Sequence, residues 1–145
     1  MIQEIETGIR ELMSADKSVL FVVNQRENKI YKFEEDGEKI SYPLDTGILG
    51  SVARSGEIAS ITEPYALPNF NPRVDLDTQL PILCLPIRSI KEKDKILAVV
   101  QVLDLKFAGR AGGRHDLLED EIIREFQIQV GLCLERFIQS KYFKN

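Results

Sequence analysis

The apolar positions of the chain change period along its length, and each period predicts an element. Ile2, Ile5, Ile9 and Leu12 recur at steps of three and four, the stripe of a short amphipathic helix over residues 1–14 that Ser14, Ala15 and Asp16 bring to an end. Val19 to Val23 is an unbroken apolar run closed by Asn24, which reads as a central strand. From Lys29 to Glu35, Ile30, Tyr31 and Phe33 are interleaved with charged residues, as in a half-exposed strand. Asp36 and Gly37 then supply a turn, and Ile40, Tyr42 and Leu44 alternate with polar residues or Pro43 as an edge strand. Residues 19–44 therefore form a three-stranded meander.

Beyond the meander the period switches again. Ile48, Leu49, Val52 and Ala53 share one face of a short helix, with Asp45 or Thr46 placed to cap it and Gly56 to stop it. Ile58 to Ile61 is a short strand. Thr62 to Gln79 holds Pro64, Pro68 and Pro72, which rule out long regular structure; a loop of this length in a small domain is expected to be a lid or binding loop. Ile82 to Ile87 and Ile96 to Leu103 are two more apolar strands, joined through the charged tip from Lys91 to Lys95. After the Gly- and Arg-rich stretch up to His115, a helix is expected over residues 116–140, with Leu118, Ile122, Phe126, Val130, Cys133 and Phe137 at steps of three and four. The order predicts an α+β fold: one domain over residues 1–145, with an antiparallel sheet of about six strands and the N- and C-terminal helices packed on one face. A helix that starts at the first residue suggests a piece of a longer protein.

Composition narrows the function classes. The chain has 145 residues and a net charge of −4, which argues against nucleic acid as the main partner while leaving a local basic patch open. No apolar run reaches the roughly 18–20 residues that span a bilayer, and the acidic N-terminus is no secretory signal. Cys84 and Cys133 both lie in apolar segments, without a CxxC and with a single histidine, so they are expected as buried thiols in a reducing, cytoplasmic setting and not as metal ligands. A Cys84/His115 nucleophile pair is disfavoured, because an apolar mid-strand site raises a thiol's pKa. The run from Gly109 to Arg114 lacks the Lys-Ser/Thr ending of a phosphate loop, and Asp75, Asp77 and Asp104 fit no calcium-loop spacing. A mid-strand Gln101 fits either a ligand contact or a satisfied core polar group.

Four segments carry a resemblance. TGILGSVARSGEIASI, EPYALPNFNPRVDLDTQ, ILCLPI and ILAVVQVLD follow one another with the order and spacing of a GAF domain, of the type found in cyclic nucleotide phosphodiesterases and related adenylyl cyclases. The chain is similar to that type over nearly all of residues 15–138. The resemblance implies a GAF/PAS-like sheet with a ligand pocket on the face away from the terminal helices, a small ligand such as cAMP or cGMP, and a homodimer formed through those helices. With one histidine and two cysteines in apolar segments, no enzyme activity, cofactor or metal is expected. Carried onto this sequence, the resemblance makes Phe33 the aromatic that stacks on the base and places Glu34 at the purine edge. Ile48 and Leu49 offer helix N–H groups to the cyclic phosphate, a role with its own physical basis at a helix start. Asn71 and Asp75 lie in the lid, Thr78 reaches the ribose or phosphate, and Gln101 faces the pocket. The chain departs from the type at Asp104 and Leu105, where Asn-Lys is usual, at the shortened segment after Thr78, and at Val19, where a polar residue commonly meets the base. The alternative reading is a GAF domain without a ligand, acting as a dimerisation or scaffold module through residues 1–13 and 116–140.

Overall fold

In the computed structural model, residues 17–33, 36, 38–75, 82–92, 94–103 and 117–137 are described. The strands are β1 (Ser18–Asn24), β2 (Lys29–Phe33), β3 (Lys39–Pro43), β4 (Ala59–Ile61), β5 (Ile82–Arg88) and β6 (Ile96–Leu103). The helices are α1 (Gly47–Ser55) and α2 (Leu117–Phe137), with a 3-10 turn at Pro64–Ala66. Each element falls where the apolar period places it. The helix expected over residues 1–14 lies outside the described residues.

All six strands form one sheet in the order β3-β2-β1-β6-β5-β4, and every pairing is antiparallel. The central strands β1, β6 and β5 are almost wholly buried, which is why their sequences are apolar runs and not alternations. Successive side chains point to opposite faces. Leu20, Val22, Leu83, Leu85, Val100 and Val102 therefore join Ile123, Phe126 and Leu134 of α2. Val19, Phe21, Val23, Cys84 and Val99 join Ile48, Leu49, Val52 and Ala53 of α1 and Val74 of the long loop. The fold is three-layered: α2, sheet, then α1 with the loop.

One irregularity breaks the alternation. Ile87 pairs with Ala98 and Arg88 with Ile96, so Leu97 is the extra residue of a β-bulge. Leu97 and Ala98 both lie in the α2-side cluster, while Ile96 turns to the α1 side.

The β1–β2 turn is fixed by side chains. Asn24 and Tyr31 both donate to Glu27 Oε1, at 2.8 and 2.6 Å. Lys39 on β3 lies 4.5 Å from the centroid of the Tyr31 ring. The hydrogen bond to Glu27, then burial, then the Glu27 charge push the Tyr31 pKa from 10.0 up to about 12. The fold holds the neutral phenol, so this contribution is complete below pH 10 and is lost as pH rises through 12. Stability measured by urea titration between pH 9 and pH 12 is expected to fall, and the fall is expected to be smaller in Glu27→Gln, which removes the Glu27 charge and weakens the hydrogen bond that the side chain accepts.

Candidate functional site

α1 begins in a backbone conformation suited to glycine. Its first residue, Gly47, has φ +68, a conformation that side chains disfavour. A Cβ there would lie 2.6 Å from Asp75 Oδ2, so the glycine also makes room for a carboxylate. Thr46 is the N-cap residue, yet its hydroxyl makes no capping bond. The expectation that Asp45 or Thr46 caps the helix is corrected here: the cap comes from Asp75, which lies across the loop.

Asp75 is 3% exposed, and its carboxylate has four donors. Oδ2 accepts from Ile48 N at 2.9 Å and from Asn71 N at 2.9 Å. Oδ1 accepts from Leu49 N at 3.1 Å and from Gln101 Nε2 at 2.8 Å. Four donors fill the lone-pair positions of a carboxylate, and two of them are free N–H groups at the positive end of a helix. A buried charge is tolerable under these conditions, and little acceptor capacity is left for a cation.

The loop delivers Asp75 through a compact turn. Val74 N and Asp75 N both donate to the Asn71 carbonyl, at 3.0 and 2.8 Å. The Asn71 side chain accepts from Arg73 N at 3.0 Å, a local turn contact. Asn71 thus meets the site through its backbone. Tyr65 and Phe70 pack ring against ring earlier in the loop, with centroids 4.8 Å apart.

Gln101 sits on β6, fully buried, directly between Val19 on β1 and Cys84 on β5. It faces α1, as its bond to Asp75 requires. Burial pushes the Cys84 thiol far above its ordinary pKa; a hydrogen bond with Gln101 opposes this, and the nearby Asp75 charge adds to it. A thiol held neutral in this way is a poor nucleophile.

The structure therefore brings together Ile48, Leu49, Asn71, Asp75 and Gln101 of the residues singled out in the sequence. It does not bring Phe33 to them. Ile30 of β2 belongs to the α1 side, so Phe33, three positions on, lies with Tyr31 in the α2-side core. The expected stacking aromatic is a packing residue on the opposite face of the sheet. Glu34, Thr78 and His115 lie outside the described residues. The two helix N–H groups are already bonded to a carboxylate, which no local sequence pattern reveals. Asp75 itself was singled out, but a cap brought from far along the chain leaves no local pattern.

No family model matches the chain. Among solved structures, the GAF domain of an Acinetobacter phosphoenolpyruvate-protein phosphotransferase superposes with a TM-score of 0.68 over 93% of this chain and 80% of that one, at 13% identity. The chain has the GAF fold. A free methionine-R-sulfoxide reductase of Neisseria meningitidis, solved with its substrate, shares the architecture at a TM-score of 0.65 and 12% identity, over 96% of this chain and 78% of that one. By sequence, the chain is similar to a probable 3',5'-cyclic phosphodiesterase, pde-5, of Caenorhabditis elegans, 28% identical over 154 residues. That match covers 92% of this chain and 20% of the relative, so the chain spans about a fifth of that protein's length. Among the described residues, no helix is long and apolar enough to cross a membrane.

Proposed function

We propose that this GAF domain is a regulatory module that binds a small ligand on the α1 face of its sheet, with a cyclic nucleotide as the leading ligand. The observation that carries the reading is the convergence of a helix N-terminus, a long loop and a buried polar side chain at Asp75. Such a helix start favours an anion, and here it already holds one. A cyclic phosphate would take the amides of Ile48 and Leu49 in exchange for the carboxylate. The exchange frees the loop around Asn71–Asp75, so ligand entry and loop position are one equilibrium. The similarity to a probable 3',5'-cyclic phosphodiesterase supports this ligand class. Catalysis has no support in the site, whose one thiol is buried and held protonated. Free Cys84 and Cys133 agree with a cytoplasmic setting.

Thermal shift and calorimetry with cAMP and cGMP test the reading. A ligand that binds the folded chain raises its melting temperature by mass action. The expected result is a concentration-dependent rise with at least one of the two. No rise at millimolar nucleotide rejects the cyclic nucleotide.

A second reading has its own observation. Asp75 satisfies the site without any ligand, as in a domain that serves as a scaffold or dimerisation module. Ile128 and Leu132, 41% and 43% exposed and four apart on α2, offer a surface to a second copy. Light scattering over a range of concentrations tests this reading: a strict monomer rejects it.

A further inference from the structure

The two helices lie on opposite faces of the sheet, yet three consecutive residues hold both. Arg88 ends β5 at the bulge, and its Nη2 donates to the Gly56 carbonyl at 2.8 Å. Gly56 is the residue that closes α1: it has φ +71, and its N–H returns to the Val52 carbonyl at 2.8 Å. A Cβ on Gly56 would collide with the Arg88 guanidinium, so the left-handed backbone and the contact both call for glycine. On the other face, α2 rests on the same stretch of backbone. A Cβ on Gly131 would lie 2.9 Å from the Arg88 carbonyl oxygen, so the helix axis approaches as nearly as a glycine permits. The Ser89 hydroxyl donates to Glu135, and Ile90 N donates to the same Oε1 at 3.1 Å. Gln127 Nε2 adds a bond to the Pro86 carbonyl at 2.7 Å.

We infer that Arg88–Ile90 is a coupling joint: it ties the C-terminal end of α1 to α2, so a displacement of α1 at the Asp75 end is passed to the C-terminal helix through Arg88. α1 has nine residues and is gripped at both ends, by Asp75 at its start and by Arg88 at its finish. A short helix held in this way moves as a rigid rod. Its motion pulls on a guanidinium whose own backbone is wedged beneath Gly131 and whose next two residues are bonded to Glu135. Ala98 and Leu97 at the bulge pack in the α2-side core, so the strand end has little freedom to absorb the motion.

The inference does not depend on the identity of a ligand, and its test uses none. Cys133 lies exposed on α2 and Cys84 is buried, so a trifluoromethyl tag attaches selectively to Cys133 in the full chain. The fluorine NMR shift of that tag reports on the environment of α2 in the folded state. Asp75→Asn disturbs the start of α1 without changing the shape of the side chain. The expected result is a change in the tag's shift on Asp75→Asn that falls by more than half when Arg88→Met is also present. Arg88→Lys keeps a donor for Gly56 and is expected to preserve the response. If Arg88→Met does not fold, Glu135→Ala removes the shared acceptor of Ser89 and Ile90 on the α2 side and is expected to reduce the response in the same way. A response of equal size with the joint cut shows that the disturbance crosses the body of the sheet, and overturns the inference. An unchanged tag on Asp75→Asn with Arg88 intact also overturns it.

Discussion

Asp75→Ala is expected to destabilise the fold by about 3–5 kcal/mol, because it leaves four buried or half-buried donors without their acceptor. Losing a helix cap alone costs about 0.5–2 kcal/mol. The Asn71 and Gln101 donors are stranded as well, and a buried donor without a partner costs about 1–3 kcal/mol. Domains of this kind hold only about 5–15 kcal/mol in all, so the loss is a large share. Urea denaturation of the two proteins measures it. Asp75→Asn keeps one carbonyl acceptor and is expected to fall between the parent and the alanine variant. A more specific signature is rescue. Formate and acetate carry the carboxylate group that the substitution removes and can accept from the same donors. Either is therefore expected to raise the midpoint of Asp75→Ala in a concentration-dependent way while leaving the parent unchanged. A loss within about 0.5 kcal/mol, or no rescue by either anion, would show that the helix start does not depend on this carboxylate.

Phe126→Ala is expected to cost a similar amount, about 3–5 kcal/mol, through a cavity between α2 and the sheet. The Phe126 side chain is 1% exposed and packs in the cluster that joins Ile123 and Leu134 to β1, β5 and β6. Leu132, on the same helix but 43% exposed, serves as the internal control, and Leu132→Ala is expected to change stability by no more than about 0.5 kcal/mol. The contrast fixes which face of α2 is docked. Equal losses at the two positions would contradict the orientation described here.

The strands were legible because each central one is an apolar run and each outer one mixes apolar with polar or charged residues, and these patterns follow directly from burial. The stop of α1 at Gly56 was legible for a local reason, since a left-handed C-terminal residue calls for glycine. The candidate site was legible in part. Ile48, Leu49, Asn71, Asp75 and Gln101 were singled out and do converge, but the sequence could not show that they are bonded to one another. Phe33 was misplaced for a physical reason. Tyr31 and Phe33 share one buried face of β2 while Ile30 is buried on the other, so apolar character alone does not say which side an aromatic occupies. The bulge at Leu97 was hidden because Ile96, Leu97 and Ala98 are all apolar and a slip in register leaves no mark on such a run. The tie between Ser89 and Glu135 spans 46 positions, beyond any local pattern.

The position of Asp75 also has a consequence for the order in which the molecule assembles. The cap of α1 stands 27 residues downstream of the first amide it holds. A helix of nine residues is shorter than the roughly 12–15 that are marginally stable alone in water. Its first turn therefore has no stable existence until β4 has passed and the loop has come back across the sheet. α1 is therefore expected to be completed from outside, once the loop has closed. The same dependence runs in reverse in the native state: lifting Asp75 away removes the acceptor of the Ile48 and Leu49 amides, so movement of the loop and uncapping of α1 are a single event.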